Sequence, residues 1–97
     1  MAVERREVTI INKLGLHARA AAKFVSCAAA YSARIRAGRA DAGDSGGDLV
    51  DGKSIMAVMM LAAGKGTALV LEAEGEDAEA ALAALCALID NRFEEDE

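Results

Sequence analysis

The stretch Ser32-Ala33-Arg34-Ile35-Arg36-Ala37 alternates without a break. In a strand, successive side chains point to opposite faces, so Ala33, Ile35 and Ala37 share one face and Ser32, Arg34 and Arg36 the other. A strand with one apolar and one polar face belongs to a sheet covered on one side and wet on the other. A second segment, Thr67 to Glu74, repeats the pattern, with Leu69, Leu71 and Ala73 inward and Glu72 and Glu74 on the opposite face.

Working outward, Glu4 to Ile11 reads as a strand from the β-propensity of Val8, Thr9, Ile10 and Ile11. Asn12 to Leu16 is a loop, with Gly15 available for a turn. From His17 to Tyr31 the spacing of Ala20, Ala21, Phe24, Cys27, Ala28 and Tyr31 predicts a helix, with Arg19, Lys23 and Ser26 on its polar side. Gly38 to Asp48 is rich in Gly and Asp and reads as a long hairpin loop before a short strand at Leu49-Val50. Lys53-Ser54 opens a second helix expected to end near Gly64. A third helix begins near Asp77, where acids suit the helix dipole, and carries Ala78, Ala81, Leu82, Leu85, Leu88 and Ile89 as its stripe. The order is β-α-β-β-α-β-α, which predicts an α+β two-layer domain with helices on one face of an open sheet.

The 97 residues suit a single domain spanning 1–97, with the acidic end, about 94–97, expected to fray into solvent. Net charge is −5 and aromatics are 3%, which speaks against nucleic acid as a partner. The two cysteines, Cys27 and Cys86, fit no metal pattern and read as free thiols on apolar helix faces. "MAVERREV" lacks the apolar run of a leader, and no apolar stretch is long enough to span a membrane, so a cytoplasmic protein with no metal and no cofactor is expected.

His17, the only histidine, falls at the start of the first helix. The backbone N–H groups of Ala18, Arg19 and Ala20 there have no helical acceptor, and the positive end of the dipole favours an anion such as phosphate. A neutral imidazole at that place is a nucleophile, and Arg19 can pair with phosphoryl oxygens. These parts suit covalent phosphoryl transfer through histidine. With one histidine there is no paired-His metal site, and no nucleophile-elbow motif supports a hydrolase. Ser54 reads as the N-cap of the second helix. That helix, Ile55 to Ala63, is apolar all round, so some of Ile55, Met56, Met59 and Met60 must face outward, and flexible methionines suit a surface that fits several partners.

"GLHARAAAKFV" (Gly15 to Val25) and "GKSIMAVMMLAAGKG" (Gly52 to Gly66) resemble the two signatures of the histidine-containing phosphocarrier proteins of the bacterial phosphotransferase system, the HPr family. The resemblance runs from Val8 to about Arg92. It implies an open-faced β-sandwich, a four-stranded antiparallel sheet covered by three helices. It implies a stoichiometric carrier rather than an enzyme, one that takes a phosphoryl group from phosphoenolpyruvate-dependent enzyme I on Nδ1 of His17 and hands it to an EIIA-type acceptor. Arg19 corresponds to the family's active-site arginine, Ser54 to the serine that a kinase/phosphorylase marks in many members, and the Ser54 helix to the docking patch. Two departures stand out: Ala20 replaces the family's usual proline, and the loop 38–48 is longer. "NKLGLHARAAAKF", the alanine-rich last helix and the end "NRFEEDE" resemble the nitrogen-related branch, with the general sugar-transport carrier as the alternative. A non-catalytic ligand-sensing α+β module is the rival of a different class, and would leave His17 without a covalent role.

Overall fold

The computed structural model describes residues 3–40 and 49–95. Four strands, β1 (Val3–Thr9), β2 (Arg34–Arg39), β3 (Val50–Asp51) and β4 (Ala68–Glu74), form one antiparallel sheet in the order β1-β4-β2-β3. Three helices, α1 (Ala18–Ala29), α2 (Ile55–Met60) and α3 (Ala78–Asp90), interleave with them in the predicted order. The α+β two-layer domain expected from the alternating strands, and the open-faced sandwich that the family resemblance implies, are the architecture found.

The inward residues of the strands, Val8, Ile35, Ala37, Leu69, Leu71 and Ala73, are buried with Ala20, Ala21, Phe24 and Ala28 of α1 and Ala81, Leu82, Leu85 and Ile89 of α3 in one core. α3 lies on β1 and β4, α1 packs against α2 and α3, and α2 sits beside β3. On the open face the register aligns Arg5, Glu72, Arg36 and Asp51 across all four strands. The row alternates in charge, and Arg5 Nε donates to Glu72 Oε2 at 3.1 Å. Opposite charges on facing positions support strand pairing, so this face is stable in contact with water.

Several boundaries differ from expectation. β1 ends at Thr9, although Ile10 N–H still donates to the Thr67 carbonyl (2.9 Å) and Gly66 N–H to the Ile10 carbonyl (2.7 Å). β2 runs on through Gly38 and Arg39, which pair with Val70 and Leu69. Those two residues are therefore strand rather than loop, and most of the remaining predicted loop, 41–48, lies outside the described residues. α2 stops at Met60, short of Gly64. The N–H groups of Leu61 and Ala62 make tighter bonds to Val58 (3.2 Å) and Met59 (3.1 Å), and Ala62 turns into the left-handed region at φ 52°. That reversal presents the Ala63 carbonyl to Leu16 N–H, at 2.9 Å.

Asp77 precedes α3 as predicted, but its side chain makes no capping bond. The carboxylate instead accepts from the N–H groups of Ser32 and Ala33 (both 2.8 Å) and from Ser32 Oγ (3.2 Å), tying the start of α3 to the approach of β2. The Ser32 N–H bond is the main reason the carboxyl sits below its usual range, against a smaller opposing effect of burial.

Beyond α3 the chain does not simply fray. Arg92, Phe93 and Glu94 form a single tight turn with φ of 57°, 54° and 65°, and Phe93 is completely buried. Three successive non-glycine residues in the left-handed region cost roughly 1–2 kcal/mol each. Burial of the Phe93 ring, worth roughly 1.5–3 kcal/mol for a fully buried side chain, offsets part of that cost. Glu94 is exposed, as an acidic terminus should be, whereas Glu95 is folded back toward α1; Asp96 and Glu97 lie outside the described residues.

Candidate functional site

His17 is the N-cap of α1, with extended backbone (φ −71°, ψ 176°), and its carbonyl accepts the first helical bond from Ala21 N–H at 2.8 Å. Its side chain makes no capping bond. The N–H groups of Ala18, Arg19 and Ala20 precede that first bond and have no acceptor within the helix, which leaves them available to an anion.

The preceding loop sets the approach. Gly15 adopts φ 68°, and a Cβ there would lie 2.5 Å from the Ala63 carbonyl oxygen and 2.7 Å from Gly64 Cα. Only glycine fits both the conformation and the space. Asn12, fully buried, donates from Nδ2 to the Gly15 carbonyl at 2.9 Å. Leu16 is buried and pinned to Ala63, so the histidine enters α1 from a loop anchored to the far end of α2.

The His17 ring is partly exposed, and its Nε2 is hydrogen-bonded to Glu95 Oε2. Glu95 Oε1 accepts from Asn12 Nδ2 at 3.1 Å. Lys23, on the same helix, donates from Nζ to the Phe93 carbonyl at 2.7 Å and lies 3.5 Å from the Glu94 carboxylate. Burial would push the Glu95 carboxyl up, but the hydrogen bonds from His17 and Asn12, with the charges of His17 and Lys23, together hold it below its usual range.

Arg19 is exposed in the first turn of α1 and holds no ion pair among the described residues. Ser54 caps α2, its Oγ accepting from Ala57 N–H at 3.3 Å. Lys53 Nζ donates to the Tyr31 carbonyl at 2.7 Å and so joins the start of α2 to the end of α1. Ile55, Met56, Met59 and Met60 are all exposed, Met60 at 80%, while Val58 alone turns into the core from α2. Leu14, 67% exposed, adds an apolar side chain in the loop before His17. Cys27 and Cys86 are free and half-buried, and burial pushes both thiols up, which favours the protonated form. Among the described residues no group of His, Cys, Asp or Glu could hold a metal ion, and no helix is long and apolar enough to cross a membrane.

Asn12, Phe93 and Glu95 are the parts of this site that sequence reasoning did not find. Each acts through a contact with a residue far away in the chain, and nothing in the neighbouring sequence marks it.

A family profile described as the PTS HPr component phosphorylation site matches residues 4–91. A phosphocarrier protein HPr of Pseudomonas aeruginosa is 63% identical over 91 residues, covering 94% of this chain and 96% of the relative. A phosphocarrier protein NPr of Shewanella violacea is 42% identical over 90 residues, covering 93% of this chain and 92% of the relative. The crystal structure of HPr-C-His from Thermoanaerobacter tengcongensis superposes with a TM-score of 0.84 at 38% identity, covering 97% of this chain and 99% of that one. Sequence and backbone agree over almost the full length of both partners, and a histidine heads the first helix inside the matched segment: the chain belongs to the HPr family of phosphocarrier proteins of the phosphotransferase system.

Proposed function

We propose that His17 is the phosphoryl acceptor, taking the group from enzyme I on Nδ1 and passing it to an EIIA-type protein. The observation that carries this is the place of the ring: the chain's only imidazole stands at the N-cap of α1, beside backbone N–H groups that have no acceptor in the helix. Phosphate at that point meets the N–H groups of Ala18, Arg19 and Ala20 and the positive end of the helix dipole. Arg19, exposed and unpaired among the described residues, adds a charge-assisted contact to the phosphoryl oxygens. Ile55, Met56, Met59 and Met60 form the docking patch for enzyme I and the acceptor, and Ser54 at its edge is the regulatory phosphorylation site wherever a kinase/phosphorylase for it is present. The working place is the cytoplasm.

The acidic end and the alanine-rich α3 support a nitrogen-related role. The general carrier is the second reading, favoured by the name HPr on the 63%-identical relative. Purified EIIA proteins of the two kinds, offered to the phosphorylated chain, separate the readings by which one drains the label faster.

The test of the parent assignment is direct. Incubated with phosphoenolpyruvate and enzyme I, the wild-type chain gains one acid-labile phosphoryl group by intact mass, and His17→Ala gains none. Labelling of His17→Ala at the wild-type rate refutes it.

A further inference from the structure

We infer that Glu95 is a positioning residue for His17: delivered by the left-handed turn at residues 92–94, its carboxylate holds the proton on Nε2 and so presents Nδ1 as the nucleophilic nitrogen. The inference rests on His17 being the phosphoryl acceptor.

The strap that carries Glu95 is built at every point. Phe93 is sunk completely in the core. Its carbonyl is held by Lys23 Nζ at 2.7 Å. Three left-handed residues reverse the chain so that the next side chain, Glu95, returns over the start of α1. Both carboxylate oxygens are then used, Oε1 by Asn12 Nδ2 and Oε2 by His17 Nε2. Asn12 in turn holds the Gly15 carbonyl, so one buried amide orients both the carboxylate and the loop that delivers the histidine.

An ionised carboxylate only accepts hydrogen bonds, so the ring nitrogen facing it carries the hydrogen. In the neutral imidazole the other nitrogen, Nδ1, then has the free lone pair. A carboxylate that fixes tautomer and orientation and steadies the charged ring is the role of the third member of a Ser-His-Asp triad. Here the same arrangement would serve a nucleophilic histidine. The Nδ1 lone pair attacks the donor's phosphorus, and the bond from phosphorus to the donor breaks with its electron pair leaving on the donor. The Nε2 proton stays where it is, and the ring, now carrying both proton and phosphoryl group, gains a positive charge beside Glu95. Transfer to the acceptor reverses these steps.

The test uses the full chain and two variants. Glu95→Gln keeps length and shape but loses the charge and offers one oxygen instead of two; Glu95→Ala removes the contact. In wild type, ring 1H–15N spectra of the unphosphorylated protein, at a pH where the ring is neutral, should show a protonated Nε2 and an unprotonated Nδ1. In both variants the two nitrogen signals should move toward one another as the second tautomer becomes populated. Phosphoryl transfer from enzyme I, followed by rapid quench, should slow by about tenfold with little change in apparent affinity for enzyme I, in the range of supporting carboxylates behind working histidines. Glu95→Gln melting like wild type while slowing transfer is the decisive result, because the strap is then intact and only the carboxylate is missing. A wild-type proton on Nδ1, spectra of the variants that overlay wild type, or a wild-type transfer rate in Glu95→Gln each overturns the inference. If wild type accepts no phosphoryl group at all, the phosphocarrier assignment of His17 fails instead, and the ring spectra still report the tautomer.

Discussion

Replacing Gly15 by alanine tests how the loop before His17 is held. Residue 15 has φ 68°, where an L side chain costs roughly 1–2 kcal/mol. The new methyl would also lie 2.5 Å from the Ala63 carbonyl oxygen and 2.7 Å from Gly64 Cα. Both are backbone atoms, so relief requires the loop and the end of α2 to separate. That separation stretches the 2.9 Å bond from Leu16 N–H to the Ala63 carbonyl, worth about 1 kcal/mol. Against this, alanine restricts the unfolded chain and returns about 0.4–1 kcal/mol. The net expectation is a loss of roughly 1–3 kcal/mol. In a domain of this size each kcal/mol moves the midpoint by roughly 4–8 °C, so Tm should fall by roughly 5–20 °C. Thermal and urea unfolding of Gly15→Ala and Gly64→Ala measure it together. Gly64 has open space around its Cβ position and no positive φ, and its substitution should shift Tm by no more than a few degrees. Equal midpoints for the two variants would refute the close approach of the two loops.

Phe93→Ala should destabilise by roughly 3–5 kcal/mol, because the ring is fully buried, and urea unfolding that shows less than 1 kcal/mol would return the segment to a solvated tail. Ala20→Pro should fold, melt within a few degrees of wild type and still carry phosphate on His17. Its N–H precedes the first helical bond, although Ala20 is fully buried and the larger ring must find room; a folded variant that mass spectrometry shows unphosphorylated would make the Ala20 N–H a required phosphate ligand. Asp77→Asn should lower Tm at neutral pH but not in acid. A carboxyl held below its usual range contributes stability above the ordinary aspartate value of about 3.9 and loses it as pH falls through the folded value, so the gap between the two melting curves should begin to narrow below about pH 4. A gap that persists unchanged at pH 3 would remove the three bonds from the Ser32 approach as the cause.

The order of elements and the inner face of the sheet were legible because each is written in local periodicity. Ala33, Ile35 and Ala37, and Leu69, Leu71 and Ala73, alternate with polar residues, and all six are buried. His17 was legible as an N-cap because a loop with glycine runs straight into a helical repeat. The rest lacks a local mark. Phe93 stands among charged residues, and a single aromatic in an acidic run has no period to reveal its burial. The left-handed turn around it contains no glycine, the usual sign of positive φ. Ala62 ends α2 in the same unmarked way. Asp77 has the composition of a cap, but two backbone N–H groups of the β2 approach compete for its carboxylate, and only the folded chain brings them within reach. Asn12 and Glu95 are 83 residues apart, a separation across which composition carries no information.

The strand order has a consequence for how the molecule comes into being. β4, the last strand to be synthesised, lies inside the sheet, with β1 on one side and β2 on the other. Val3 waits for Glu74 and Arg34 for the same residue, so until the ribosome has released the segment around residue 74 the first strand has no neighbour. The two residue pairs between β2 and β3 are too few to persist alone. Assembly must therefore be concerted and late, dominated by contacts distant in sequence, which places the expected folding rate toward the slow side of small domains. A nascent chain stalled before β4 would expose the alanine-rich α1 and the methionines of α2 with no sheet to cover, making that interval the point of greatest exposure to aggregation and to chaperones.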